Sequence, residues 1–121
     1  MKKVLIVDDT DLFRFALGRL MNKFLGVSVI ESKTVSEALE ILSTEPVDLV
    51  LTDMHMPGRT GQELVISLKN KYPEIPVVVL TIDQDPELKD SLLKAGALQV
   101  LYKEGDTLTL VTQLKEIFDF S

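Results

Sequence analysis

The chain contains no cysteine among its 121 residues. A disulfide framework and a thiolate metal site are both excluded, and the absence is compatible with a reducing compartment. No apolar run approaches the ~20 residues that a bilayer-spanning helix needs. The start, Met1-Lys2-Lys3, leads into only a short apolar stretch before Asp8-Asp9, too brief for a secretion signal. Linkers, internal repeats and low-complexity segments are also missing. A glycine-rich phosphate loop after the first strand is absent, which disfavours a nucleotide carrier. Positive charge is in deficit: 13 basic residues stand against 19 acidic ones, for a net charge of −6. Such a surface repels nucleic-acid phosphates, so direct DNA or RNA binding by this segment is disfavoured. The expectation is a single domain over residues 1–121, soluble and cytoplasmic, with no membrane segment and enough apolar sequence (45%) to bury a core.

What is present is an alternation of strand and helix, five times over. Lys3 to Asp8 is nearly all apolar, as expected of a strand covered on both faces. From Asp11 to Phe24 a broad helical stripe carries Leu12, Phe13, Phe15, Ala16, Leu17, Leu20, Met21 and Phe24. Gly26 ends that helix, and Val27 to Ile30 is predicted as a second strand. Thr34-Val35-Ser36-Glu37 reads as a capping box opening a helix with Val35, Ala38, Leu39, Ile41 and Leu42 inward. Pro46 breaks it, and Val47 to Thr52 is the third strand. A turn-rich loop, residues 56–61, precedes a helix carrying Leu64, Val65 and Leu68. Pro76 suits the first residue of strand four. Asp85-Pro86 is an N-cap followed by proline at the first helical position, and Gly96 stops the fourth helix. Leu98 to Tyr102 is strand five, and Gly105-Asp106 begins a last helix with Leu108, Leu110, Val111, Leu114, Ile117 and Phe118.

This pattern predicts an α/β fold: a doubly wound, five-stranded parallel sheet in the order 2-1-3-4-5 with five helices, a flavodoxin-like three-layer sandwich. In that order strands one and three are neighbours at the topological switch point. Asp8 and Asp9 follow strand one and Asp53 follows strand three, so three carboxylates converge. Thr81 and Lys103 end strands four and five on the same rim. Two unit charges ~4 Å apart repel by ~4 kcal/mol at an effective dielectric near 20. The acids therefore need protons or a cation, and Mg²⁺ is the hard ion that carboxylates and phosphate oxygens hold together. One acid is then left as a nucleophile toward phosphorus, giving an acyl phosphate. Asp53 is the best choice, since the adjacent pair suits the metal, and the loop carbonyl of His55 is a further candidate ligand.

Each of these residues also has an ordinary reading. Asp9 could cap the first helix, Asp53 be a loop carboxylate, Thr81 a strand-end hydroxyl and Lys103 a solvated lysine. Their coincidence on one rim favours function. The lone His55 is expected to point outward, and Met54 and Met56 to pack. Phe120 could be exposed, frayed or docked.

Asp8-Asp9, Asp53 with Met56-Pro57-Gly58 and Gly61, Thr81, Ala95-Gly96-Ala97 and Lys103 together resemble the receiver domain of two-component response regulators, of the chemotaxis single-domain type, over essentially the whole chain. The resemblance implies a phosphoacceptor rather than an enzyme. Asp53 would take phosphate from a sensor histidine kinase or phosphotransfer protein, Mg²⁺ would sit on Asp8, Asp9, Asp53 and the His55 carbonyl, and Thr81 and Lys103 would contact the phosphate. It further implies a phosphorylation-dependent change in the face of helix four, strand five and helix five, read by an output domain, a downstream protein or a second copy of the chain. No output domain is expected within these residues.

Three positions depart from the family pattern. Val100 stands where an aromatic switch residue is usual, and Tyr102, roughly 6–7 Å further along the strand, is no obvious replacement. Signalling is then expected to run through Thr81 and its loop. Ile82 is bulkier than usual and is expected to narrow the approach to Asp53. Glu104 replaces a proline, so the bond before it should be trans, because cis costs ~2.5–4 kcal/mol without proline. Two other classes remain in view. Asp9-Thr10-Asp11 superficially resembles the signature of haloacid dehalogenase-type phosphatases, and a phosphorylation-independent interaction module would keep the fold without switching.

Overall fold

The computed structural model describes residues 2–103 and 105–119, apart from the side chain of residue 119. The chain alternates β1 (Lys3–Val7), α1 (Asp11–Leu25), β2 (Ser28–Ser32), α2 (Val35–Thr44), β3 (Leu49–Asp53), α3 (Gly61–Lys71), β4 (Val77–Thr81), α4 (Pro86–Ala95), β5 (Gln99–Tyr102) and α5 (Thr107–Asp119). All the strand pairs are parallel and the order is β2-β1-β3-β4-β5. The predicted sheet is therefore the observed one.

The alternation of side chains along each strand divides the core into two layers. Leu5, Val7, Val50, Val77 and Val79 face α2, α3 and α4, packing with Ala38, Leu42, Leu64, Leu68 and Leu92. Val4, Ile6, Leu51, Val78 and Leu80 face α1 and α5, packing with Leu17, Met21, Leu110 and Leu114. Each fully buried leucine or isoleucine contributes ~1.5–3 kcal/mol of transfer free energy, so the central strands anchor the rim above them.

Local signals explain most element ends. Gly26 adopts φ 65° at the C-cap of α1, a conformation that costs glycine no Cβ clash. The Asp85 side chain accepts from the Glu87 N–H, with Pro86 behind it, as read from the sequence. Thr34 accepts from the Glu37 N–H, but the Glu37 carboxylate reaches Lys33 N–H instead of closing the box on Thr34. Boundaries shift slightly: β2 starts at Ser28 and runs to Ser32, β3 at Leu49, β4 after Pro76, and β5 at Gln99. Asp106 accepts from the Thr109 N–H and hydroxyl ahead of α5, which begins at Thr107.

The broad stripe on α1 is corrected. Leu17 and Met21 are buried, but Leu12, Phe15 and Phe24 are exposed. The two rings each have a cation over one face, Arg19 over Phe15 at 5.5 Å and Lys23 over Phe24 at 5.4 Å, which gives them a polar partner at the surface. Leu108 is likewise exposed on α5, while Leu39 and Ile41 are only partly covered. The readings placed on Glu104 and Phe120 fall outside the described residues. No helix among the described residues is long and apolar enough to cross a membrane.

Candidate functional site

The site grows from the register of β1 and β3. Val7 pairs with Thr52, so the next residues, Asp8 and Asp53, emerge side by side. Asp8 is 1% exposed and every polar atom it owns is bonded. Its N–H donates to the Ser32 carbonyl at 3.0 Å. One carboxylate oxygen accepts from the Thr10 N–H at 2.8 Å and the other from Lys103 Nζ at 2.8 Å. Its carbonyl accepts from Arg14 Nη1 at 2.6 Å.

Lys103 also lies 3.2 Å from Asp53 Oδ1, bridging the two acids. Asp9 is exposed at the mouth, and one carboxylate oxygen from each of Asp8, Asp9 and Asp53 falls within 4.8 Å of the others. Three hard, anionic donors against one ammonium leave an excess of negative charge, the donor chemistry that fits Mg²⁺. Burial raises the Asp53 carboxyl above the usual range; Lys103 opposes that rise, while Asp8 and then Asp9 add to it. The Asp53 carbonyl is crowded too. A Cβ on Gly61 would stand 2.4 Å from it, so only glycine lets α3 start there.

Thr81 is buried at the end of β4, where its Oγ1 accepts from the Asp83 N–H at 3.0 Å. Its carbonyl accepts from the Lys103 N–H at 2.9 Å, which ties β5 to the same rim. The structure thus gathers Asp8, Asp9, Asp53 and Lys103 directly, with Thr81 one strand away. His55 is exposed, as expected. Ile82 is 74% exposed and lines a cleft of about 340 Å³ with Thr10, Phe13 and Lys103. Val100 is a core residue paired with Val79, and Tyr102 is half-buried opposite Thr81.

Arg14 was not anticipated. It is 7% exposed and, besides the Asp8 carbonyl, its guanidinium donates to Asp11 at 2.7 Å and Glu31 at 2.8 Å. A signal existed: Arg14 occupies the same stripe as the buried Leu17 and Met21, at i, i+3 and i+7. A cation there needs acceptors within reach.

Residues 4–115 match the response regulator receiver domain. The chain belongs to that family. The receiver is 31% identical over 121 residues to the glycerol metabolism activator of Pseudomonas putida, covering 98% of this chain and 55% of that protein. It is 36% identical over 109 residues to the response regulator protein PilR of Pseudomonas aeruginosa, covering 87% of this chain and 23% of that one. The receiver therefore spans about half the length of the first relative and a quarter of the second. Among solved structures, the chemotaxis response regulator CheY4 of Vibrio cholerae superposes with a TM-score of 0.88 at 29% identity, covering 97% and 98% of the two chains. Receivers of two-component systems are phosphoacceptors, modified on an aspartate, and bind Mg²⁺ at an acidic pocket. The match displaces the phosphatase alternative. Its second acid, Asp11, instead pairs with Arg14 and, at 3.5 Å, with Lys33.

Proposed function

We propose that residues 1–121 act as one receiver unit in which Asp53 is the phosphoacceptor, served by Asp8, Asp9, Thr81 and Lys103. The observation that carries this reading is the Lys103 ammonium shared between Asp8 and Asp53 within 3.2 Å, beside a third carboxylate. An Asp53 carboxylate oxygen attacks the phosphorus of a phosphohistidine on a histidine kinase or phosphotransfer protein. The new P–O bond forms as the P–N bond breaks, and the electron pair leaves with the imidazole nitrogen. Lys103 is held where negative charge gathers on the transferring group, which is stabilisation by a preorganised cation. Asp8 and Asp9, with Asp53 and the His55 carbonyl, are the residues to hold Mg²⁺, which when bound supplies further neutralising charge to the phosphoryl oxygens. Thr81 exchanges its bond to Asp83 for one to a phosphoryl oxygen. That exchange loosens the β4–α4 loop and passes the signal to the α4–β5–α5 face, where an output domain, a downstream protein or a second copy of the chain reads it. The buried Val100 supports signalling through this loop rather than through an aromatic rotamer at that position. The receiver works as a cytoplasmic phosphoacceptor and not as a turnover enzyme.

Labelled acetyl phosphate with Mg²⁺ provides the test. Wild type is expected to incorporate one phosphoryl group, and Asp53→Asn none. An unlabelled wild type, or a labelled Asn variant, would overturn the assignment.

A further inference from the structure

Lys103 has a third partner besides its two carboxylates. The ring of Phe13, on the first turn of α1, lies with its centroid 4.2 Å from Nζ. This is well inside the ~6 Å within which a ring face attracts a cation. The Lys103 side chain is 14% exposed, so the contact is largely screened from water. Phe13 is itself half-buried and packed against the α1–α5 core layer on one side, with Lys103 over its ring on the other. A ring held this way has few alternative rotamers. It presents a fixed apolar wall to a side chain that would otherwise be free to swing between the acids and the adjoining cleft shared with Thr10, Ile82 and Leu110.

From this we propose that Phe13 is a positioning residue for the phosphoryl transfer, acting through Lys103; the proposal rests on the role assigned above to that lysine. The two carboxylates attract the ammonium, but a compact charge on a flexible four-carbon stem carries little directional preference of its own. The ring face adds the missing direction. It keeps Nζ over the Asp8–Asp53 edge and out of the cleft toward Ile82. The arrangement has two opposed consequences. A restrained ammonium opposes cation binding to Asp8 and Asp53, because it holds positive charge beside the same oxygens. It assists the phosphoryl transfer, because the charge is already in place when the group arrives. Loosening Lys103 should therefore tighten Mg²⁺ binding while slowing phosphorylation. General loss of structure would weaken both.

The experiment is a cycle of wild type, Phe13→Leu, Phe13→Tyr, Lys103→Met and the Phe13→Leu/Lys103→Met double variant. It reads Mg²⁺ affinity by calorimetry, phosphate uptake from acetyl phosphate, and the ring-current shift of the Lys103 side-chain protons by NMR. Phe13→Leu is expected to lose the upfield Lys103 shift, bind Mg²⁺ about two- to fivefold tighter and accept phosphate about two- to fivefold more slowly, the lower end of the scale for one cation–π contact. Phe13→Tyr, which keeps the ring face, should restore all three readings. In the Lys103→Met background Phe13→Leu should leave Mg²⁺ affinity unchanged. Lys103 protons without an upfield shift in wild type, or a Phe13→Leu effect that persists once Lys103 is gone, overturns the proposal. If wild type takes up no phosphate, the function proposed for Asp53 fails, and the NMR shift and the Mg²⁺ cycle still decide the role of Phe13.

Discussion

The β1–α1 flank of the site and its β4–α4 flank are built to different tolerances. On the first, the N–H, the carbonyl and both carboxylate oxygens of Asp8 each have a partner: Ser32 of β2, Arg14 of α1, Thr10 at the α1 N-cap and Lys103 just after β5. On the second, Thr81 holds the following loop by one hydroxyl contact to Asp83, and the next side chain, Ile82, stands in solvent. Under the function proposed for Asp53, the difference separates two duties. A group that must meet a cation and a phosphoryl group in a set geometry is fixed from several directions. A segment that must change shape on modification is left with few contacts, because local opening is cheapest where little is buried.

Arg14→Leu is the severest way to break this contrast. It removes the fork that joins the Asp8 carbonyl, Asp11 and Glu31, and should cost about 2–3 kcal/mol by denaturant unfolding while weakening Mg²⁺ binding. Unchanged stability would mean that the acidic flank is held by its strand pairing alone. Gly61→Ala comes next. Its methyl group would press on the Asp53 carbonyl, for a loss of about 1–3 kcal/mol, with amide shifts concentrated at Asp53 and Met54 in NMR spectra.

The third effect concerns charge and has the opposite sign. Burial, reinforced by Asp8, holds the Asp53 carboxyl above its ordinary value despite Lys103. The folded protein thus binds that proton more tightly than the unfolded chain does. In chelator, this contribution to stability falls as pH rises through the interval between the ordinary and the raised value, and levels off above it. Asp53→Asn removes the penalty. The variant should melt a few degrees higher at pH 7 and converge with wild type in acid; a lower Tm at pH 7 would contradict the direction.

Ile82→Ala sharpens the other flank. Stability should stay within about 0.5 kcal/mol, because the side chain is exposed, while acetyl-phosphate uptake and dephosphorylation both accelerate. Unaltered rates would mean that Ile82 does not restrict access to Asp53.

The order of the sheet and the convergence of Asp8, Asp53 and Lys103 were legible because they follow from period and connectivity: apolar runs covered on both faces, parallel crossovers and acids at strand ends. Arg14 was only half legible: it shares the stripe of Leu17 and Met21, but a helical arginine ordinarily reads as surface, and its three acceptors, the Asp8 carbonyl, Asp11 and Glu31, meet it only in the fold. The exposure of Phe15 and Phe24 was not legible, because a helical period records where apolar side chains fall, not how far the core extends to meet them. The contact of Phe13 with Lys103 joins α1 to the end of β5, a distance along the chain that local patterning does not span.

The order β2-β1-β3-β4-β5 also leaves the sheet with two open margins, and this bears on how the protein behaves at high concentration. Unpaired backbone along such margins templates association with other chains. Here the outer strands are only five and four residues long, and each carries an exposed polar residue, Glu31 on one and Gln99 on the other. Short, hydrophilic borders of this kind disfavour strand-to-strand stacking between molecules, a protection that a sheet not closed into a barrel has to draw from its edges.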